Sequence, residues 1–437
     1  MNKVHKDEMI KLAQQTGIEV VEENGVLSWR GKYGGRVKPN GPLKGKRIGI
    51  LIASEFSDFQ AYHLASYIGE YGGICEFIMM DWVIYKFVRP NIANKGVRGM
   101  WDLSVDPIPV MGTNKNADWK NLKDAKGGDY DAVVVLGGHS ADVLVTEKEV
   151  TAFLKEAAEA GAVVSAIASG SIPLIAAGLL HGKRCTGDRT VDFMMRRIGT
   201  FVAEGVVTDG KIITARTTTE TPWFFRALCA ALDPGFQDPR EGSLKGKSVL
   251  FPLGEDFEDI ELVVPTMEFL YRGAEVIIGR FEPELRARPP LLGMDNVSVG
   301  NFGVTVPFQE IPDSYYTIKP LDDVKMSEFD VVFISGAFNP WNMVATGTSD
   351  WLKAPYSAGK GIAAICHGTI PVAAADLIHG KHVTGWLASR DAVEIMGGIF
   401  HSEQWAAAID GNMITGRTPP EIPEFLDAIA VWLLTDK

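Results

Sequence analysis

The chain has 437 residues, 46% of them hydrophobic and 22% charged, with a formal net charge of −12. That is too long for one ordinary hydrophobic core and typical of globular domains, so two domains are expected. The acidic balance disfavours nonspecific nucleic-acid binding, and no zinc-finger or basic-helix spacing is visible.

In chain order, "MNKVHKDEMIKLAQQTG" is polar and charged and lacks the apolar core of a signal peptide. "KDEMIKLAQQ" has the pattern of a short helix, and "GVLSWRGKYGG" that of a hairpin. No apolar run is long enough for a membrane span. The four cysteines, Cys75, Cys185, Cys229 and Cys366, are scattered with no CxxC pair, which predicts a reducing, cytoplasmic setting. Cys75, Cys185 and Cys229 fall in apolar stretches and are read as core.

From residue 43 onward the chain repeats itself. "LKGKRIGILIASEFSDFQ" (43–60) pairs with "LKGKSVLFPLGEDFEDIE" (244–261) at an offset of 201. "AVVVLGG" (132–138) pairs with 330–336 at 198, and "TDGKIITART" (208–217) with "IDGNMITGRT" (409–418) at 201. "AIASGSIPLIAAGLLHGK" (166–183) matches "AICHGTIPVAAADLIHGK" (364–381) at eleven of eighteen positions. Four blocks in one order at nearly one offset mark a tandem duplication. The expected division is an extension over 1–42, a first domain over 43–234, a linker rich in Pro, Gly and charge, and a second domain over 245–437.

Within the second repeat, apolar runs at 248–253, 274–279, 331–335 and 361–366 predict buried parallel strands, and 258–271 and 367–378 predict helices. Strand–helix alternation predicts an open, mainly parallel sheet flanked by helices, with sites at the carboxyl ends of the strands. Cys366 lies at such an end, on a strand-to-helix turn beside His367. A thiolate is the nucleophile, and a helix N-terminus favours it. Gly336, after the strand at 331–335, would let its N–H join that of His367 in binding an oxyanion. After the first strand, Glu255, Asp256, Glu258, Asp259 and Glu261 reach the same sheet edge. Most are expected on a solvated helix turn, with Glu258 the one turned inward. At the common offsets the first repeat has Ser57 for Glu258, Ala168 for Cys366 and Ser169 for His367. Loss at all three positions links Glu258, Cys366 and His367 into one proposed site. No His, Cys and carboxylate spacing resembles a zinc site.

The segments "EDFEDIELVVP", "FISGAFNP", "AICHGTIPVAAADLIHGKHVTG" and "IDGNMITG" resemble the ThiJ/PfpI family, which includes the Parkinsonism-associated deglycase and PfpI-type intracellular peptidases. The resemblance covers both repeats and implies two flavodoxin-like domains related to class I glutamine amidotransferases. It implies Cys366 as nucleophile, Glu258 as a protonated hydrogen-bond donor to the thiolate, His367 as the adjacent histidine, and Gly336 as the oxyanion-hole glycine. The family often has Gly-Gly-Arg after the third strand; here it is Ser335-Gly336-Ala337. The resemblance implies a cofactor-free, cysteine-dependent enzyme acting on a small aldehyde, a glycated compound or an amide-type bond, with isonitrile hydration a third activity. A noncatalytic redox sensor or chaperone is the alternative. It further implies a homo-oligomer, and a tandem chain could pack its repeats as an intramolecular pseudo-dimer, with no nucleic-acid or membrane partner. The segment 280–323 is long for a connection, so Arg288, Tyr315 and Tyr316 are substrate-contact candidates or part of a surface excursion. His181 and His379 are read as structural; His139 and His401 carry no signal.

Overall fold

The structure is a computed structural model that describes residues 18–30, 40–80, 97–100, 104–105, 117–284, 297–401 and 404–435, with single positions between 7 and 14. It divides into two compact units, one of residues 34–238 and one that joins residues 1–33 to 239–437. The division falls inside the expected linker, between Asp238 and Pro239.

The first elements are β1 (Glu19–Glu23) and β2 (Val26–Arg30), an antiparallel pair with Glu23 opposite Val26. Asn24 and Gly25 form the turn at φ 55° and 79°. Two positive φ values in a two-residue turn match the right-handed twist of the strands it joins, and Asn-Gly supplies them at least cost. The hairpin expected in "GVLSWRGKYGG" therefore lies a few residues upstream, and residues 31–39 lie outside the described residues.

The unit of residues 34–238 contains β3 (Arg47–Ile52), α1 (Asp58–Glu70), β4 (Ile74–Met79), β5 (Ala117–Asn121), β6 (Ala132–Val135), α2 (Lys148–Glu159), β7 (Val163–Ile167), α3 (Ser171–Ala176), β8 (Val206–Asp209), β9 (Ile212–Ala215) and α4 (Thr221–Leu232). Its main sheet runs β8-β9-β7-β6-β3-β4-β5. All pairings are parallel except β8 with β9. Alternate strand residues feed two cores. Ile48, Ile50 and Val134 pack with Phe224 and Phe225 on one face, and Leu51, Val133 and Val135 with Leu154 and Met195 on the other. A sheet buried on both faces accounts for the continuous apolar runs in the sequence.

The other unit repeats the plan with β10 (Ser248–Leu253), α5 (Asp259–Tyr271), β11 (Glu275–Arg280), β12 (Tyr316–Pro320), β13 (Val331–Ile334), α6 (Asn339–Ala345), β14 (Gly361–Ile365), α7 (Thr369–Ala374), β15 (Trp405–Asp410), β16 (Met413–Gly416) and α8 (Ile422–Leu434). The sheet runs β1-β2-β15-β16-β14-β13-β10-β11-β12. Its last seven strands keep the order of the other unit. Ile48 faces Ala132 and Val249 faces Val331, so the third-strand offset is 199, one residue from the sequence alignment.

The hairpin pairs β2 antiparallel with β15, Val26 opposite Asp410. Residues 19–30 are thus the outer strands of the second repeat's sheet, and Trp29 is fully buried there. The hairpin covers an edge that would otherwise present unpaired backbone groups. The segment 280–323 is likewise partly sheet, since β12 lies within it. Tyr316 is buried, its hydroxyl accepting the Phe308 N–H at 2.9 Å and its ring edge-on to Phe308, so it holds the loop. Tyr315 is exposed, and Arg288 lies outside the described residues. Among the described residues, no helix is long and apolar enough to cross a membrane.

Candidate functional site

Strand β14 delivers the chain to Cys366, which has φ 59° and opens a single 3-10 turn, Cys366–Gly368, before α7. A non-glycine residue in the left-handed region costs about 1–2 kcal/mol, so the surrounding structure must impose it. Here the sheet does so. A Cβ on Gly368 would come 2.6 Å from the Ile334 carbonyl oxygen, so the turn sits directly on β13. The first repeat keeps the same turn, with Ala168 at φ 53° and a Cβ on Gly170 falling 2.3 Å from the Val135 oxygen. The strained elbow therefore belongs to the fold and persists where the thiol is absent.

Cys366 is 5% exposed. Its Sγ lies 3.4 Å from His367 Nδ1, and the Glu261 carboxyl lies beside it, since a Cβ built on Gly336 would meet both Glu261 Oε2, at 2.7 Å, and Sγ, at 3.1 Å. Glu261 is fully buried, and its Oε2 accepts the Gly336 N–H at 2.5 Å. The carboxyl against the thiol is thus Glu261, and the expectation for Glu258 is corrected. Glu258 is the N-cap of α5, its side chain accepting the Glu261 N–H at 2.8 Å. The cap residue bends back over the first turn to satisfy a free backbone donor. The residue three positions on, already helical, projects toward the elbow.

The role expected for the Gly336 N–H is corrected too, because that donor is committed to Glu261. Gly336 is needed for close approach: a Cβ there would lie 2.7 Å from Glu261 Oε2 and 2.8 Å from Cys366 Cβ.

Burial dominates the electrostatics. It pushes the Glu261 carboxyl up to about 8, against the pull of the Gly336 N–H and the thiol. Burial, with the charges of Glu261 and Asp259, also holds Glu258 well above the carboxylate range. The Cys366 thiol is pushed up by burial and then by the charges of Glu261 and Glu258, while the His367 N–H pulls it down. Burial lowers His367, keeping its imidazole neutral at pH 7. Once Glu261 is neutral, its charge no longer opposes a thiolate.

The first repeat shows what the site looks like when its chemistry is removed. Gln60 stands where the second repeat has Glu261, and its Oε1 accepts the Gly137 N–H at 2.8 Å while its Nε2 donates to Thr218 Oγ1 at 2.9 Å. The backbone contact survives and the titratable group does not. Ala168 replaces the thiol, and Ser169, in the histidine's place, donates to the Gly138 oxygen at 3.0 Å. Ser57 is merely the N-cap residue of α1. Three joint losses remain, with Glu261/Gln60 rather than Glu258/Ser57 as the carboxylate pair. The offset of 201 held that signal, since Gln60 ends the first quoted block and Glu261 the second.

Outside this site, Cys75, Cys185 and Cys229 are fully buried. His401, silent in the sequence, stacks on Trp405 and places Nε2 2.9 Å from His382 Nδ1.

The DJ-1/PfpI family model matches residues 46–231 and again 247–431. Protein DJ-1 homolog D of Arabidopsis thaliana is 27% identical over 315 residues, 70% of this chain and 78% of that one. Protein/nucleic acid deglycase 2 of Escherichia coli is 28% identical over 184 residues, 41% of this chain and 93% of that one. The crystal structure of a ThiJ/PfpI domain protein from Brachyspira murdochii superposes with a TM-score of 0.35 at 19% identity, over 44% of this chain and 98% of that one. This chain belongs to the DJ-1/PfpI family and carries the family's flavodoxin-like domain twice in tandem.

Proposed function

We propose that the chain is a cysteine-dependent enzyme acting on a small electrophilic carbonyl compound, with its working site in the second repeat. The observation that supports this best is the placement of Cys366 Sγ beside a proton-holding carboxyl, Glu261, and within 3.4 Å of a neutral imidazole, His367. A sensor thiol needs the first but has no use for an adjacent proton carrier.

A 2-oxoaldehyde suits these groups. The thiol adds to the aldehyde carbon: the S–C bond forms, the C=O π bond breaks, and the thiol proton passes to the oxygen by way of His367. His367 then takes the C1 hydrogen as a proton, and C2 is reprotonated. C1 is oxidised and C2 reduced within one molecule, leaving a thioester of a 2-hydroxy acid. Water cleaves it, so that 2-oxoaldehyde plus water gives 2-hydroxy acid and the free thiol. Glu261, neutral, donates to sulfur whenever sulfur carries charge. The deglycase name of the Escherichia coli relative is consistent with carbonyl chemistry of this class.

The test is turnover of methylglyoxal to lactate with the full chain. Cys366→Ala is expected to abolish it while folding normally, because alanine already occupies the equivalent left-handed position at Ala168. Full turnover by Cys366→Ala refutes the proposal. Absence of turnover by the wild type, with Cys366 oxidised selectively by peroxide, favours the redox-sensor alternative.

A further inference from the structure

Both repeats build the same elbow, so their differences around it reflect use of the site and not the needs of the fold. Two segments adjoin the elbow in the second repeat. One is α6, which packs against the elbow turn and α7 and is capped by Phe338, two residues after Gly336. The other follows Thr384, where the Trp386 N–H donates to the Cys366 carbonyl oxygen at 3.1 Å. On these segments Phe338 is 52% exposed, Trp341 41% and Leu387 52%, with Trp386 half-buried.

The first repeat has polar residues at all four positions. Phe338 and His139 are each the N-cap residue of their helix, which sets Trp341 against Asp142. Thr384 and Thr186 each donate their N–H to an equivalent threonine, Thr415 and Thr214, which sets Trp386 against Asp188 and Leu387 against Arg189. The segments therefore fold equally well with charged side chains. Single exposed apolar residues are ordinary, and Phe193 and Ile395 are examples here. Four on two segments that adjoin the turn of one thiol, and replaced together where the thiol is lost, are not.

Resting on the carbonyl-enzyme reading above, we propose that Phe338, Trp341, Trp386 and Leu387 form an apolar rim that selects substrates carrying an aromatic or bulky apolar group next to the carbon attacked by Cys366. The occupant is the substituent of a small electrophile, because both segments that carry these residues adjoin the elbow turn of the thiol and carry polar residues in the copy without one.

Alkylation of Cys366 tests the rim without requiring turnover. The ratio of rates with N-benzyl iodoacetamide and iodoacetamide is measured on the full chain and compared with the same ratio for free cysteine. The wild-type ratio is expected to exceed the free-cysteine ratio by about tenfold, which is partial burial of one ring. The blank-copy replacements Phe338→His with Trp341→Asp, and separately Trp386→Asp with Leu387→Arg, are expected to bring the ratio back toward free cysteine, the iodoacetamide rate of each variant serving as its own reference. A wild-type ratio equal to that of free cysteine overturns the proposal. So does a ratio that neither folded variant alters, including the case in which the variants shift sedimentation by dissociating chain copies. A preference for phenylglyoxal over methylglyoxal in kcat/KM, lost in the same variants, ties the rim to catalysis. Failure of turnover with an intact benzyl preference would refute the enzyme reading alone.

Discussion

Replacing Glu261 by glutamine separates two opposite readings of the buried carboxyl. The first repeat already contains this substitution: Gln60 holds the Gly137 N–H at 2.8 Å, so Glu261→Gln keeps the 2.5 Å contact with the Gly336 N–H and should barely affect folding. The amide's other end bonds Thr218 in the first repeat, but Pro419, with no hydroxyl, stands at that position in the second, so the NH2 group is available to the neighbouring thiol. A hydrogen bond to a charged group contributes about 1.5–3 kcal/mol. Exchanging a carboxylic O–H donor for the weaker amide N–H at roughly half that value costs the thiolate about 1–1.5 kcal/mol. At 1.36 kcal/mol per unit this raises the thiol pKa by about one. Iodoacetamide alkylation of Cys366 at pH 7, followed by mass spectrometry, should slow about tenfold, and its pH profile should lose the inflection near 8 that belongs to Glu261. If Glu261 were instead ionised beside the thiol, removing its charge would lower the thiol pKa and speed alkylation. A faster rate at pH 7 refutes the neutral-donor reading.

Other consequences follow from the same geometry. Glu261 holds its proton to about 8 in the folded chain against 4.5 ordinarily, so the folded state binds the extra proton between those values. Unfolding free energy should therefore fall as pH rises through that window, and denaturant titrations of Glu261→Gln should show a shallower fall. Gly336→Ala puts a methyl 2.7 Å from Glu261 Oε2 and 3.1 Å from Sγ, whereas Gly137→Ala meets nothing nearer than 3.1 Å. The first should slow Cys366 alkylation at least about tenfold and destabilise by about 1–3 kcal/mol, and the second should leave alkylation unchanged. Asp427, buried on α8, receives Arg240 at 2.6 and 2.9 Å and Arg272 at 2.9 Å. Asp427→Asn removes the carboxylate charge that two buried guanidinium groups share and should cost about 3–5 kcal/mol, read as a lower midpoint in urea.

The sequence by itself determined the duplication, the order and extent of most strands, and the elbow at Cys366. Those features are written in local terms: continuous apolar runs for strands buried on both faces, a Gly two residues after the nucleophile, and one long self-match. The acidic cluster "EDFEDIE" could not reveal which carboxyl meets the thiol. Glu258 and Glu261 differ only in helix phase, and a shift of the helix start by one turn would exchange their roles. The start was settled by the cap that Glu258 makes, which depends on where β10 ends against β13. The direction of the Gly336 N–H is likewise a property of two strands and a helix brought together. The hairpin at residues 19–30 shows the same limit at longer range. Its Asn-Gly turn is local, but its partner strand, Trp405–Asp410, lies at the far end of the chain, and only a folded sheet with a free edge brings the two into register.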